Sequence, residues 1–157
     1  MEDREQRTVG REAPETRDRY RRFLEIPTRW MDNDVYGHVN NVVYYSYFDT
    51  VVNGYLISSG ALDIERSRVI GLVVETQCRY FKPITFPDVV YAGLRVARLG
   101  NSSVRYEIGI FRNDEDTAAA QGHFVHVYVD RETRRPAALP PEMRRVLDQV
   151  REGGDAR

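Results

Sequence analysis

The sequence has little cysteine, no long apolar run and almost no net charge. Its one cysteine, Cys78, cannot form an internal disulfide or a thiolate metal site, which favours a reducing cytoplasm as its location. No apolar run reaches the roughly 18 residues of a membrane span, and no apolar segment follows the charged N-terminus, so no signal peptide is expected. The net charge of -1 lacks the basic excess of a nucleic-acid-binding protein. Neither a membrane nor a nucleic-acid partner is expected.

What is present fits one folded domain. The chain has 157 residues, enough to bury a core without disulfides or a structural metal. Residues 1–22 hold seven arginines and six acidic residues, which predicts a disordered or loosely attached tail. A short partner-binding arm is the alternative. We predict a domain over residues 23–150 and a second disordered tail over 151–157, because Gly153 and Gly154 end the ordered chain.

The first half of the domain predicts a strand, a loop and a buried helix. Phe23–Trp30 alternates between apolar and polar residues, and Pro27 places this strand at a sheet edge or bends it. Met31–Asn40 is a polar loop. Asn41–Ser58 carries apolar residues nearly all round a helix, which indicates burial rather than a one-faced surface helix. The candidates for its N-cap are Asn40 and Asn41.

The second half predicts an antiparallel meander and a short terminal helix. Glycine- and asparagine-containing turns separate the runs, as in Gly100-Asn101. A helix opens at Pro140 and runs to about Val150, with proline in its first turn. The layout is α+β: a curled antiparallel sheet of about five strands around a long central helix. The strand-like runs are Val69–Phe81, Val89–Leu99, Val104–Phe111 and Ala118–Val129.

The segment Asp32–Asn41 (DNDVYGHVNN), followed by Tyr44 and Tyr47-Phe48, resembles a known signature. It is similar to the Asp-x-Asp-x-x-Gly-His-Val-Asn-Asn pattern of hotdog-fold acyl-CoA thioesterases, the 4-hydroxybenzoyl-CoA thioesterase-like family. The resemblance covers about residues 23–150. Weaker similarities follow the signature in the order usual for the family: Tyr80-Phe81-Lys82-Pro83 with Asp88, Leu99–Ser103, Val127–Asp130, Arg135-Pro136 and Leu139-Pro140.

The resemblance implies a hotdog fold and hydrolysis of an acyl thioester of coenzyme A or of an acyl-carrier protein. No separate cofactor is implied, since coenzyme A is part of the substrate. Asp34 matches the carboxylate that attacks the thioester or activates water, Asn41 lies near the substrate carbonyl, and Tyr44 matches an aromatic residue of the acyl pocket. Gly71 lies where a relative polarises the carbonyl with a backbone N–H. The family works as homodimers or dimers of dimers, with sites at the dimer interface.

The residues themselves leave several roles open. No Gly-x-Ser-x-Gly motif is present, so a carboxylate must act, either as a general base or as a nucleophile. Asp34 lies just before the helix N-terminus, where free N–H groups favour negative charge, but it could also simply brace the turn. His38 is either a base or a residue that orients the loop. Asn40 and Asn41 are either helix caps or substrate contacts.

Further substrate contacts are expected outside the loop. Glu75 lies in a strand that would flank the site and could assist there. Phosphates of coenzyme A need cations and hydroxyl groups, although each candidate could equally be a solvated surface group. His123 and His126 are three residues apart in one strand and therefore on opposite faces, so no metal site is expected. The phosphate-binding candidates are Arg79, Lys82, Arg105, Ser102 and Ser103.

Two other functions fit the same fold. A non-catalytic protein could bind coenzyme A esters without cleaving them, because a fold does not fix a function. The second is a dehydratase that acts on 3-hydroxyacyl thioesters. The catalytic histidine and acid of such dehydratases lie elsewhere in the fold. The intact signature favours the hydrolase over both.

Overall fold

A computed structural model describes residues 12–153, in which five antiparallel strands form one sheet in the order β1-β3-β4-β5-β2. The predicted α+β layout, with a curled five-stranded sheet, a long central helix and a short terminal helix, is confirmed. None of the helices among the described residues is long and apolar enough to cross a membrane. The elements are β1 (Arg22–Pro27), α1 (Val43–Ser58), β2 (Val69–Tyr80), β3 (Val89–Leu99), β4 (Ser103–Arg112), β5 (Ala120–Asp130) and α2 (Pro141–Asp148).

The central helix α1 packs one face against the sheet. The ring of Phe48 meets that of Phe124 edge-on at 5.6 Å, and the Tyr55 hydroxyl donates a hydrogen bond to the Val146 carbonyl. The opposite face carries exposed polar residues such as Asp49 and Thr50. The prediction that the helix is buried on all sides is therefore wrong, because a single chain leaves this face uncovered. The buried residues of α1 are Tyr44, Tyr47, Phe48, Val51, Val52, Tyr55 and Leu56.

The ends of β1 and α1 differ from the predicted ends, because proline and asparagine redirect the backbone there. The first strand ends at Pro27, and Trp30–Asp32 forms a 3-10 turn rather than the end of a strand. Helix α1 begins at Val43 because Asn40 holds the preceding turn: its side chain accepts the N–H of Val42 and its carbonyl that of Val43. The predicted meander of β3, β4 and β5 is confirmed by their pairing.

Both predicted tails include residues that pack on the domain. Residues 12–22 pack on the face of the sheet away from α1, where the buried ring of Tyr20 lies over Gly93 and Gly109. At the other end, Glu152 donates its N–H to the carbonyl of Val96 in β3, just beyond the point where β1 starts. Residues 1–11 and 154–157, where the rest of both predicted tails falls, lie outside the described residues.

A buried histidine gives the fold a predicted acid sensitivity. His126 is 4% exposed among aromatic rings, and its Nε2 has no hydrogen-bond partner among residues 12–153. Burial lowers the pKa of this imidazole from 6.5 to about 4. The unfolded chain therefore binds more protons than the folded one between these two values, and stability is lost as pH falls through that window.

We expect acidification from pH 7 to pH 5 to lower the free energy of unfolding by at most about 2 kcal/mol, since each pH unit below 6.5 costs about 1.4 kcal/mol. Chemical denaturation at the two pH values measures the loss. In His126→Phe, which keeps a ring at this site but cannot be protonated, the loss should shrink. An equal loss in wild type and variant would show that His126 does not cause it.

Candidate active site

The signature segment is anchored by Asp32. This carboxylate is 2% exposed and accepts hydrogen bonds from the guanidinium and backbone N–H of Arg29 at 2.8–2.9 Å, and from the Tyr47 hydroxyl at 3.3 Å. The Asp32 carbonyl accepts the N–H of Asn40. Through these hydrogen bonds Asp32 ties the start of the loop to its end at Asn40.

The next acid, Asp34, sits in a tight turn. Its N–H bonds the His38 carbonyl at 2.8 Å, and Gly37 takes a φ of +83° that a side chain would disfavour. One carboxylate oxygen, Oδ1, accepts the N–H of Tyr36 at 2.9 Å. The second oxygen, Oδ2, has no hydrogen-bond partner among residues 12–153. Asp34 thus braces the turn with one oxygen and presents the other.

Asp34 lines an open groove of about 360 Å³ at the end of β2. The buried Tyr44 ring meets the Tyr80 ring edge-on at 4.9 Å, and the Tyr80 hydroxyl donates to the Asn41 carbonyl. Burial raises the pKa of Tyr44 to about 12, so its hydroxyl stays neutral near pH 7. The groove is lined by Asp34, His38, Val39, Asn41, Tyr44, Tyr80, Phe81, Lys82 and Pro83.

The start of α1 supplies backbone donors beside the groove. The N–H groups of Val42 and Val43 donate hydrogen bonds to Asn40. Those of Asn41 and Tyr44 make no hydrogen bond among the described residues, and both residues line the groove. Unpaired N–H groups at a helix start favour negative charge nearby. The groove therefore joins a partly free carboxylate to donors suited to an oxyanion.

Of the predicted site residues, the structure brings Asp34, His38, Asn41, Tyr44 and Lys82 together in this groove. Asn40 lies behind them as the cap of the turn into α1. These residues converge because most of them belong to one continuous segment.

Gly71 does not join this group within one chain. It lies nine residues before Tyr80 in β2, a separation of about 30 Å along a strand. A Cβ at this position would fall 2.9 Å from Nδ1 of His126 and 3.0 Å from the Tyr128 ring, so the packing of these rings already requires glycine.

The remaining candidates lie elsewhere or are already paired. Glu75 bonds Nε2 of His123 at 2.8 Å, away from the groove. Arg79 pairs with Glu12, and in the groove itself Lys82 pairs with Glu115. Ser102 and Ser103 lie at the β3–β4 turn, at the opposite end of the sheet, and Arg105 pairs with Glu107 on the outer face.

Sequence reasoning missed part of the groove wall. Tyr80, Phe81 and Pro83 line it, but in the sequence these three residues counted only as a family similarity. An apolar surface beside the loop was also missed, where Trp30, Met31, Val35 and Tyr36 are 74–95% exposed. These four apolar residues lie within seven consecutive positions, Trp30–Tyr36, and this spacing could have indicated the surface.

Comparison with known proteins defines the class. The sequence model of the thioesterase-like superfamily matches residues 28–147, so the chain belongs to this superfamily, and the predicted resemblance and hotdog fold are confirmed. The crystal structure of the PA5185 protein from Pseudomonas aeruginosa PAO1 is 52% identical, with a TM-score of 0.87 over 90% of this chain and 99% of that one.

Two more distant proteins share the same span. The DHNA-CoA thioesterase of Staphylococcus aureus is 22% identical, with a TM-score of 0.73 over 82% of this chain and 89% of that chain. The YsmA protein of Bacillus subtilis strain 168 is 23% identical over 129 residues, covering 82% of this chain and 86% of YsmA. The likeness thus extends along nearly the whole of each protein.

Proposed function

We propose that the chain hydrolyses acyl thioesters of coenzyme A to the free acid and coenzyme A, in the cytoplasm and with no further cofactor. The observation that carries the proposal is the partly free carboxylate of Asp34 in one groove with unpaired N–H groups. Membership of the thioesterase-like superfamily supports it.

The groove provides the parts that thioester hydrolysis needs. Sulfur donates weakly into the carbonyl, so a carboxylate suffices, either as general base for water or as nucleophile. The N–H groups of Asn41 and Tyr44 would polarise the carbonyl oxygen, and one such donor is typically worth about 10²–10³ in rate. We propose that the rings of Tyr44, Tyr80 and Phe81 contact the acyl group.

Two further residues of the signature receive supporting roles. Asn41 is exposed in the groove, and its side-chain amide would donate to the carbonyl or to the attacking water. His38 closes the Asp34 turn through its carbonyl, which fits a residue that orients the loop. His38 is also exposed and lines the groove, where its imidazole would be able to contact the substrate.

Release of free thiol from a panel of aliphatic and aromatic acyl-CoA esters tests the proposal. We expect turnover of at least one class by the full chain. Binding of the esters by calorimetry with no thiol release would instead support a non-catalytic binder. The same acyl groups on an acyl-carrier protein compare the two carriers, and faster turnover of the protein-bound esters would reassign the substrate.

We further propose that two copies pair through β2. This strand is an edge of the sheet, and its residues Leu72, Val73 and Val74 are 38%, 46% and 60% exposed. An apolar edge with unpaired backbone groups is a liability unless it is covered. A second β2, antiparallel about a two-fold axis, would cover it and extend the sheet. Association of two such dimers is the predicted larger assembly.

Val74→Lys tests this pairing. Val74 lies at the midpoint of β2, so in a symmetric pair two lysines would face each other across the axis. Light scattering after gel filtration should show a shift from dimer or tetramer to monomer. Leu24→Lys is the control, since Leu24 is 36% exposed in the other edge strand, β1. An unchanged mass for Val74→Lys, or equal loss in both variants, would contradict pairing through β2.

A further inference from the structure

The turn that holds Asp34 lies at the tip of an exposed hairpin. The hydrogen bonds inside this turn are local: the Asp34 N–H donates to the His38 carbonyl, and the N–H groups of Tyr36 and Gly37 donate to Asp34. The two side chains at the tip are 83% and 95% exposed, so little packing holds the turn. A segment with exposed hydrogen bonds and few buried contacts opens easily. The position of the Asp34 carboxylate therefore depends on the contacts that tie this tip to the rest of the domain.

One such contact comes from the loop between β2 and β3. The hydroxyl of Thr85 donates to the Gly37 carbonyl at 2.5 Å and accepts the side-chain N–H of Asn33 at 3.4 Å. Among the residues that the structure describes, the Thr85–Gly37 bond is the only hydrogen bond to this turn from outside the signature segment Asp32–Asn41. Asn33 and Gly37 stand on either side of the turn, so one hydroxyl group bridges its two ends.

The backbone of Thr85 is itself well anchored. Its N–H donates to the carboxylate of Asp88 at 3.0 Å, and its carbonyl accepts the N–H of Asp88 at 2.8 Å. That carboxylate also accepts the side-chain N–H of Asn113 at 3.0 Å. The preceding residue, Ile84, is fully buried, and its carbonyl accepts the N–H of Val39 at 2.7 Å. Asp88, which the sequence marked only as a family similarity, thus holds Thr85 in place.

Small displacements of Asp34 matter for the proposed hydrolysis. A general base must lie within hydrogen-bond reach of its water, and a nucleophile within about 3–3.5 Å of the carbon that it attacks. A displacement of about 1 Å can lower a rate by about 10²-fold. One carboxylate oxygen of Asp34 is bound within the turn by the N–H of Tyr36, so the carboxylate moves when the turn moves.

We propose that Thr85 is a positioning residue for thioester hydrolysis. Its hydroxyl holds the carbonyl of Gly37, and through that carbonyl it keeps the turn in the conformation that places Asp34 in the groove. Thr85 does not line the groove itself, so it acts through Asp34 and not on the substrate. This inference rests on the proposed function.

Thr85→Val tests this role, because valine has nearly the shape of threonine but lacks the hydroxyl group. We expect kcat on the most active acyl-CoA ester of the panel to fall about tenfold. KM should change by less than about twofold, since the rings proposed to contact the acyl group do not depend on this hydroxyl. Thr85→Ser keeps the hydroxyl and should restore most of kcat. A wild-type kcat in Thr85→Val, or an equal loss in Thr85→Ser, would overturn the role of Thr85.

Thr50→Val is the matched control. The Thr50 hydroxyl also donates to a backbone carbonyl, that of Ser46 at 2.7 Å, on the exposed face of α1. Thr50 lies outside the groove, so the same chemical change should leave kcat as it is in wild type. A loss in Thr50→Val as large as that in Thr85→Val would overturn a specific role for Thr85.

A double variant tests whether Thr85 acts through Asp34. In the Asp34→Asn background, Thr85→Val should lower the residual kcat by less than about twofold, because the carboxylate that Thr85 positions is already absent. A general weakening of the fold would lower kcat equally in both backgrounds. The full tenfold loss in the Asp34→Asn background would therefore contradict positioning through Asp34.

These measurements also separate this inference from the proposed function. An unchanged kcat in Thr85→Val would overturn the role of Thr85 while leaving hydrolysis intact. If wild type cleaves no thioester, the proposed function fails, and hydrogen exchange followed by mass spectrometry still tests the Thr85–Gly37 bond. Faster exchange over residues 34–38 in Thr85→Val than in wild type and Thr85→Ser would support that the bond holds the turn. Equal exchange in all three would overturn it.

Discussion

Replacing Asp34 with asparagine is expected to lower kcat on acyl-CoA by about 10²- to 10⁴-fold, the usual contribution of a general base or more. An amide can neither take a proton from water nor attack the carbonyl. Its Oδ1 can still accept the N–H of Tyr36, which Asp34 now holds at 2.9 Å, so the turn should persist. The measurement is steady-state thiol release with the most active ester of the panel.

Asp114→Asn serves as the control for this prediction. Asp114 is exposed in the turn between β4 and β5, outside the groove, so the same chemical change should leave kcat intact. Equal melting temperatures for wild type and Asp34→Asn would exclude unfolding as the cause of a loss. A kcat for Asp34→Asn within a factor of two or so of wild type would remove Asp34 from the mechanism.

Arg95→Met is expected to lower the free energy of unfolding by about 3–5 kcal/mol, as when one member of a buried ion pair is removed. The Arg95 side chain is 8% exposed and contacts the carboxylates of Glu15 and Glu107 at 2.8–2.9 Å. The hydrogen bond from Arg95 is the main reason that the pKa of Glu15 lies below its usual value. Without the guanidinium, these two partly buried carboxylates would keep only the more exposed Arg19 and Arg105 as partners.

Urea denaturation monitored by far-UV circular dichroism measures this effect. Arg98→Met is the matched control, since Arg98 is exposed in the same strand and has no ion pair among residues 12–153. Adding Glu15→Gln to Arg95→Met should cost less than the sum of the single changes, because Glu15 has already lost its buried partner. An unfolding midpoint for Arg95→Met equal to that of Arg98→Met would contradict the role of this network.

The Arg95 network also shows why the start of the domain was mispredicted. Seven arginines and six acids in residues 1–22 have the composition of a disordered tail. In the structure, Glu15 finds its partner 80 residues away, and Tyr20 packs on two glycines of distant strands. Composition cannot reveal partners that far along the chain.

Local signals, in contrast, predicted the fold well. Alternating apolar residues and turn sequences gave β3, β4 and β5 nearly to their ends, and the signature brought Asp34, His38, Asn41 and Tyr44 together because they lie within 11 consecutive residues. The exposed outer face of α1 was missed, since apolarity all round a helix predicts burial without naming what buries it.

Electrostatic pairing limited the prediction of substrate contacts. Lys82 was singled out as the one lysine of the chain, yet it contacts Glu115, 33 residues later. Which cations remain free is decided by the fold.

The structure of the protein with a non-hydrolysable acyl-CoA analogue tests the central claim most directly. The predicted result places the carbon that replaces the thioester carbonyl about 3–3.5 Å from Oδ2 of Asp34, with the acyl group against Tyr44 and Tyr80. An analogue bound in full with its acyl end away from the Asp34 groove would contradict the account.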